Sequence, residues 1–321
     1  DRLTVRAASK LPPGRVHYTA WCDGEGHVLD DGTIFHLPDG SWRLCCQERH
    51  LPWLLDSAIG FGVSIEEVTA EIAALALQGP TAAWVLRAAG FEGVAAMKPF
   101  DIRDVDLGAI AVTISRTGFT GDLGYELFVA AEDGPALWDL LMEAGRLRGI
   151  RPVGYAALDL ARLEAGFIVA NVDFITSEGA VRADRARSPF EIGLGWMVDF
   201  ERGHFNGRRA LVREQAAKAS RTALVGLEID GNVPAPHAIV YHGKKREAGI
   251  VTSAAWSPTG KGNIALATLD TPYGTKVTDD LWVEIYALRE LRYQKLMVRA
   301  RIVDRPFVVL ARRTATPPGE F

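Results

Sequence analysis

Glu164 is the first residue whose setting asks for chemistry. It lies in the stretch 151–171, RPVGYAALDLARLEAGFIVAN. This stretch predicts a helix over 154–165, with Pro152 suited to the entry and Gly166 to the exit. At roughly 100° per residue, Asp159 and Arg162 stand about 60° apart and pair on one face. Glu164 projects from a different face, among Ala157, Leu160 and Ala161. A carboxylate there needs a donor from elsewhere. The plain reading is a backbone N–H or an arginine from another segment, and the functional reading is a ligand. Asp30 and Asp31 precede Gly32, where a turn or bulge is the plain reading. The glycines Gly118, Gly121 and Gly124 give GxxGxxG ahead of Tyr125 and Glu126. That spacing is neither a P-loop nor a dinucleotide fingerprint, and hairpin turns are its plain reading.

The elements that must position these groups come next. Strands are predicted over 15–21, 27–37 and 41–46, and a helix from 51 to 59. In the second strand Leu29, Asp31, Thr33 and Phe35 share one face, while Asp30 points away with Val28 and Ile34. Strand signals follow at 72–78 and 110–116, and helix signals at 81–89 and 134–148. Two strand–helix passages of this kind imply an α+β sandwich of the ferredoxin-like type. Beyond residue 221 short strands at 223–229, 238–241, 249–252, 263–269, 282–285 and 296–302 are cut by Gly, Pro and Asp turns. They predict a small all-β barrel. The fold class is therefore α+β followed by a β-barrel.

With 321 residues, two or three domains are expected. A hydrophobic share of 48% with 24% charged residues is that of a soluble globular protein. Net charge is −4, and the basic residues are scattered, which argues against nucleic acid. No apolar run reaches the ~20 residues of a membrane helix. Cys22, Cys45 and Cys46 are odd in number and form no CxxC, so a reduced, cytoplasmic setting is the default. The seven histidines show no ligand spacing, and no catalytic metal is expected. No GxSxG motif supports a serine nucleophile.

Six segments follow in order: LALQGP at 75–80, RTGFTGDLGYE at 116–126, RLEAG at 162–166, SPFEIGLGWMV at 188–198, HFNGRRAL at 204–211 and TSAAWSPTGKGNIALA at 252–267. This set resembles the aminomethyltransferase family, the T-protein of the glycine cleavage system and its tetrahydrofolate-dependent relatives. The resemblance spans about 11–307. It implies two ferredoxin-like α+β domains and a C-terminal barrel around a central folate cavity. The first folate-binding domain would comprise 1–60 and 150–215, the second 61–149, and the barrel 216–321. Family members carry several dozen residues before the counterpart of Asp1, so the N-terminal part is expected to be missing. The reaction implied is transfer of a methyl or aminomethyl unit to N5 of tetrahydrofolate.

Residue by residue, the resemblance makes Asp31 the catalytic group, with Tyr18 beside it. It places the pterin on Glu164, whose carboxylate suits the parallel N3–H and 2-amino donors. Trp196 would wall the folate, with a core tryptophan as the plain alternative. The glycine-rich loop would form part of the cavity wall, which gives weight to Tyr125 and Glu126. Gln47 and Arg49 would lie at the cofactor, and Arg202, Arg208 or Arg209 would meet the folate glutamate, with surface solvation the plain reading of each arginine. The sequence also departs from the family pattern. Leu158 replaces an arginine, QERH at 47–50 replaces an Asn-rich segment, and 176–187 is an insertion. These departures lean toward a demethylase acting on a small O-, S- or N-methyl donor. A T-protein receiving its aminomethyl group from a lipoyl carrier protein is the alternative. A non-catalytic folate-binding accessory protein is a third reading, against which the Lys-Gly-Cys-Tyr-x-Gly-Gln motif of that branch is absent.

Overall fold

The computed structural model describes residues 1–315 and 317. Strands β1 (Arg15–Cys22), β2 (Val28–His36) and β3 (Trp42–Cys46) form a three-stranded sheet, and α1 (Leu51–Ser57) follows. Next come β4 (Ile72–Gln78), α2 (Ala82–Ala88), β5 (Ile102–Leu107), β6 (Ile110–Ser115), β7 (Gly124–Ala130), α3 (Gly134–Gly145), α4 (Tyr155–Glu164) and α5 (Arg208–Ala217). The remaining strands are β8 (Thr222–Ile229), β9 (Ile239–His242), β10 (Arg246–Ser257), β11 (Gly262–Asp270), β12 (Leu281–Arg289) and β13 (Arg292–Val303). The expected α+β fold with a C-terminal β-barrel is what forms. The chain divides into two compact units, one of 1–7, 19–31 and 159–309, the other of 8–18, 32–158 and 310–321.

The second unit is built on an antiparallel sheet in the order β4-β7-β6-β5. Alternation along β7 sends Tyr125, Leu127 and Val129 into a core with Leu86 of α2, Leu137 and Leu141 of α3, and Ile114. Glu126 and Phe128 therefore face the other side. Phe128 meets Phe35 edge-on at 5.3 Å and lies under the Arg43 guanidinium. The sequence pattern does not predict β5. Its residues Arg103, Asp104 and Asp106 break the apolar rhythm, which an end strand with one neighbour tolerates.

The first unit carries the barrel, closed in the order β10-β11-β8-β13-β12-β9. All six predicted strands are present, most of them longer than predicted. Leu227, Val240, Val251, Ala265, Leu269, Leu281 and Val283 fill its interior. The register of β10 against β11 shifts between Val251 and Ser253, so Thr252 is the extra residue of a bulge. Helix α4 lies within the predicted 154–165. Gly166, at φ +70, closes it, and a Cβ there would meet the Arg305 side chain at 2.9 Å.

Candidate functional site

In the first unit, α4 is fastened by Arg162, which is 1% exposed. Its Nε donates to Asp159 at 2.8 Å, the pair that the spacing predicts. Nη1 donates to Asp173 at 2.6 Å and to the Phe167 carbonyl at 3.1 Å, and Nη2 donates to Ser253 Oγ at 2.8 Å. Asp173, equally buried, accepts from Thr252 Oγ1 at 2.7 Å and from Ser253 Oγ at 2.6 Å. Neighbouring strand residues normally face opposite ways, and the bulge at Thr252 turns both hydroxyls onto one carboxylate. A buried charge pair persists only when it is well hydrogen-bonded, and here four of the five Arg162 N–H groups find acceptors among the described residues.

Glu164 then takes its donors from the β10–β11 turn. Ser257 Oγ donates to Oε1 at 2.6 Å, Thr259 N–H to Oε1 at 3.3 Å, and Thr259 Oγ1 to Oε2 at 3.0 Å. A carboxylate offers about four lone-pair sites, so roughly one is left. The donor that the lone helical carboxylate needs thus comes from hydroxyls and one amide of that turn.

The two aspartates of β2 differ sharply. Asp30 is fully buried, and its Oδ1 accepts the Asp31 N–H at 2.8 Å. Asp31 is half-buried. Gly32 is required next because a Cβ there would strike the Cys45 carbonyl of β3 at 2.2 Å. Trp196 is 67% exposed and lies under the Arg6 guanidinium at 5.8 Å, so it is not a core tryptophan. Arg202 is engaged locally. It donates to the carbonyls of Asp1 and Thr4, pairs with the Asp1 carboxylate and covers Phe205 at 4.4 Å. Arg208 donates to the Phe200 carbonyl at 2.8 Å, and Arg209 is exposed.

The second unit holds a different carboxylate. Glu126 on β7 is half-buried and accepts one hydrogen bond among the described residues, from Thr117 Oγ1. Thr117 in turn sits 2.5 Å from the buried Ser115 hydroxyl. Burial holds the Glu126 carboxyl above the usual glutamate range, and the Thr117 hydrogen bond acts against that rise. Tyr125 is fully buried in the helix-side core, and its hydroxyl has no partner among the described residues. Burial pushes that phenol up to about 12, with Arg116 opposing. Tyr18 is half-buried, Gln47 is exposed, and Arg49 is exposed and pairs with Glu67 at 3.3 Å. Glu126 is the functional candidate that helical periodicity could not single out; its signal is the polar position next to Tyr125 in the glycine-rich segment.

No cluster of His, Cys, Asp and Glu among the described residues could hold a metal ion, and no described helix is long and apolar enough to cross a membrane. Comparisons with known proteins cover most of the chain. Residues 1–202 match the GCVT N-terminal domain, and 223–308 match the glycine cleavage T-protein C-terminal barrel domain. An aminomethyltransferase of Caldanaerobacter subterraneus subsp. tengcongensis is 33% identical over 85% of this chain and 72% of its own length. A trimethylamine-oxide aldolase of Ruegeria pomeroyi is 36% identical over 86% of this chain, which spans 36% of that protein. The crystal structure of the glycine cleavage system aminomethyltransferase T from Bartonella henselae superposes with a TM-score of 0.78 at 25% identity, over 96% of this chain and 80% of that one.

Proposed function

The chain belongs to the GCVT family of aminomethyltransferases, and we propose that it moves a one-carbon unit from a small methylated donor to tetrahydrofolate. The observation that carries the folate reading is Glu126: a half-buried carboxylate with one donor among the described residues, which leaves about three acceptor sites. A pterin offers two parallel donors, N3–H and the 2-amino group, which match such a group bidentately. Tetrahydrofolate, when bound, supplies N5 as the acceptor of the one-carbon unit. Asp31 is the catalytic residue in this reading. Its half-exposed carboxylate polarises the reacting centre and manages the proton of the leaving group, while Asp30 stays sealed behind it. Trp196 offers an exposed indole face for stacking, and Tyr18, Gln47 and Arg49 are assigned to ligand contact from the family pattern. Arg202 is assigned no ligand contact, because the Asp1 and Thr4 carbonyls already occupy its terminal nitrogens.

A second reading keeps the pterin on Glu164, as the family pattern implies. Its exposed partner Thr259 would have to yield, since three donors already face that carboxylate. The leaning to a small donor rests on Leu158, on the QERH segment, exposed at 47–49, and on the likeness to a protein named for trimethylamine oxide. The insertion 176–187 supports it physically. It is laced to Val28 through the Ser177 and Arg187 backbone and adds exposed charge that a docking carrier protein must accommodate. The test runs glycine cleavage, with the other system proteins supplied, beside turnover of small O-, S- and N-methyl compounds with tetrahydrofolate. Turnover of a small donor is expected. Robust glycine cleavage without it returns the chain to the lipoyl-carrier reaction.

A further inference from the structure

Two of the sequence segments, LALQGP and the GxxGxxG loop, have no part in the chemistry above. The structure joins them at one side chain. Gln78, at the end of β4, donates through Nε2 to the carbonyls of Thr117 and Tyr125 at 3.4 and 3.3 Å. Its Oε1 accepts from Thr120 Oγ1 at 2.9 Å. All three hydrogen bonds of that amide go to the segment 117–125, and the glycines make room for it. A Cβ at Gly118 would fall 2.0 Å from Gln78 Oε1, and one at Gly124 would fall 2.1 Å from it. An amide held by three hydrogen bonds cannot swing aside cheaply, so both positions require glycine. The amide thereby bridges the residue before Glu126 to Thr117, the residue that bonds Glu126.

The proton count then fixes a direction. Thr117 has one hydroxyl proton, and it goes to Glu126 Oε2. The contact of 2.5 Å between Ser115 and Thr117 must therefore run from the Ser115 hydroxyl to Thr117 Oγ1. Ser115 is fully buried and Thr117 nearly so, which leaves little freedom for either rotor. The result is an ordered chain, Ser115 to Thr117 to Glu126, anchored from behind by Gln78. It holds Oε2 in one orientation and leaves Oε1 without a donor among the described residues.

We propose that Thr117 is a positioning residue for the ligand-binding carboxylate of Glu126, pre-aligning it for a donor pair such as that of a pterin. This rests on the assignment of the pterin to Glu126. Preorganisation of this kind lowers the ordering cost of binding rather than adding a contact to the ligand.

Tetrahydrofolate, under anaerobic conditions, is titrated calorimetrically into the wild type, Thr117→Val, Thr117→Ser, Glu126→Gln and the double variant Thr117→Val/Glu126→Gln. Thr117→Val, which keeps the shape and removes the hydroxyl, is expected to weaken binding by about tenfold. Thr117→Ser should restore near wild-type affinity, and the double variant should bind no worse than Glu126→Gln alone. In turnover, Thr117→Val should raise the KM for tetrahydrofolate while kcat at saturation holds. Wild-type affinity in Thr117→Val, or losses that simply add in the double variant, would overturn the positioning role while leaving Glu126 as a ligand. An unchanged affinity in Glu126→Gln removes the pterin assignment itself, and the proposal with it.

Discussion

Glu164 and Glu126 are both carboxylates in short sequence motifs, RLEAG and LGYE, and their surroundings satisfy them to different degrees. Glu164 faces a turn that supplies three donors, two of them from the exposed Thr259. Its charge is compensated within the chain, and its capacity is nearly full. Glu126 has one donor among the described residues, sits on the sheet face shared with Phe128, and has its carboxyl pKa raised by burial. Its charge is under-compensated, which is a cost that a ligand with two donors removes. The lesson is that a buried-looking carboxylate is a ligand group only to the extent that the protein has left it hungry. Sequence position cannot reveal that; a donor count can.

The largest expected effect tests the scaffold on the Glu164 side. Arg162→Ala leaves Asp173 buried without its cation and should cost about 3–5 kcal/mol of stability, read by chemical denaturation. A loss under about 1 kcal/mol would mean that the network merely decorates α4. Next comes the chemistry, which neither glutamate is assigned. Asp31→Ala should lower kcat by ~10²-fold or more with folate affinity largely kept. Asp30→Ala should act mainly on stability, because Asp30 is sealed in the strand pair and caps the Asp31 amide. Greater sensitivity of kcat at Asp30 would reverse the assignment.

The comparison itself is decided by paired substitutions. Glu126→Gln turns an acceptor oxygen into a donor facing a donor and should cost on the order of 2–3 kcal/mol of tetrahydrofolate binding. Glu164→Gln should leave that affinity within about threefold. The reverse ranking in calorimetry would transfer the pterin to Glu164.

The smallest effect is a pH dependence. The folded carboxyl of Glu126 is raised, so the folded state holds the proton more tightly than the unfolded chain. The stability this gives is complete below the ordinary glutamate value of about 4.3 and is lost as pH rises through the raised value. Glu126→Gln lacks that loss. Its thermal midpoint, measured against the wild type from about pH 4 to pH 8, should therefore gain on the wild type as pH rises. A constant difference would show that Glu126 is well solvated in the folded state.

Local spacing controls the features that were legible in the amino-acid sequence. Helix α4 and its Asp159–Arg162 pair follow from helical periodicity, and the six barrel strands follow from short apolar runs between turns. The order of motifs was enough to place the chain in its family. Strand β5 escaped because its three charged residues hide the apolar rhythm that marks an interior strand. The partners of the carboxylates escaped for a stronger reason. Ser257 and Thr259 lie 93 and 95 residues from Glu164, and Gln78 lies 39 and 47 residues from the carbonyls it bridges. Periodicity tells which face a side chain leaves from, and only chain closure decides what meets it there. Trp196, equally suited by type to a core or a surface, became exposed through the same closure. Tertiary structure thus decided which glutamate is satisfied and which is left with capacity to bind, because hydrogen-bond saturation is a property of the assembled neighbourhood.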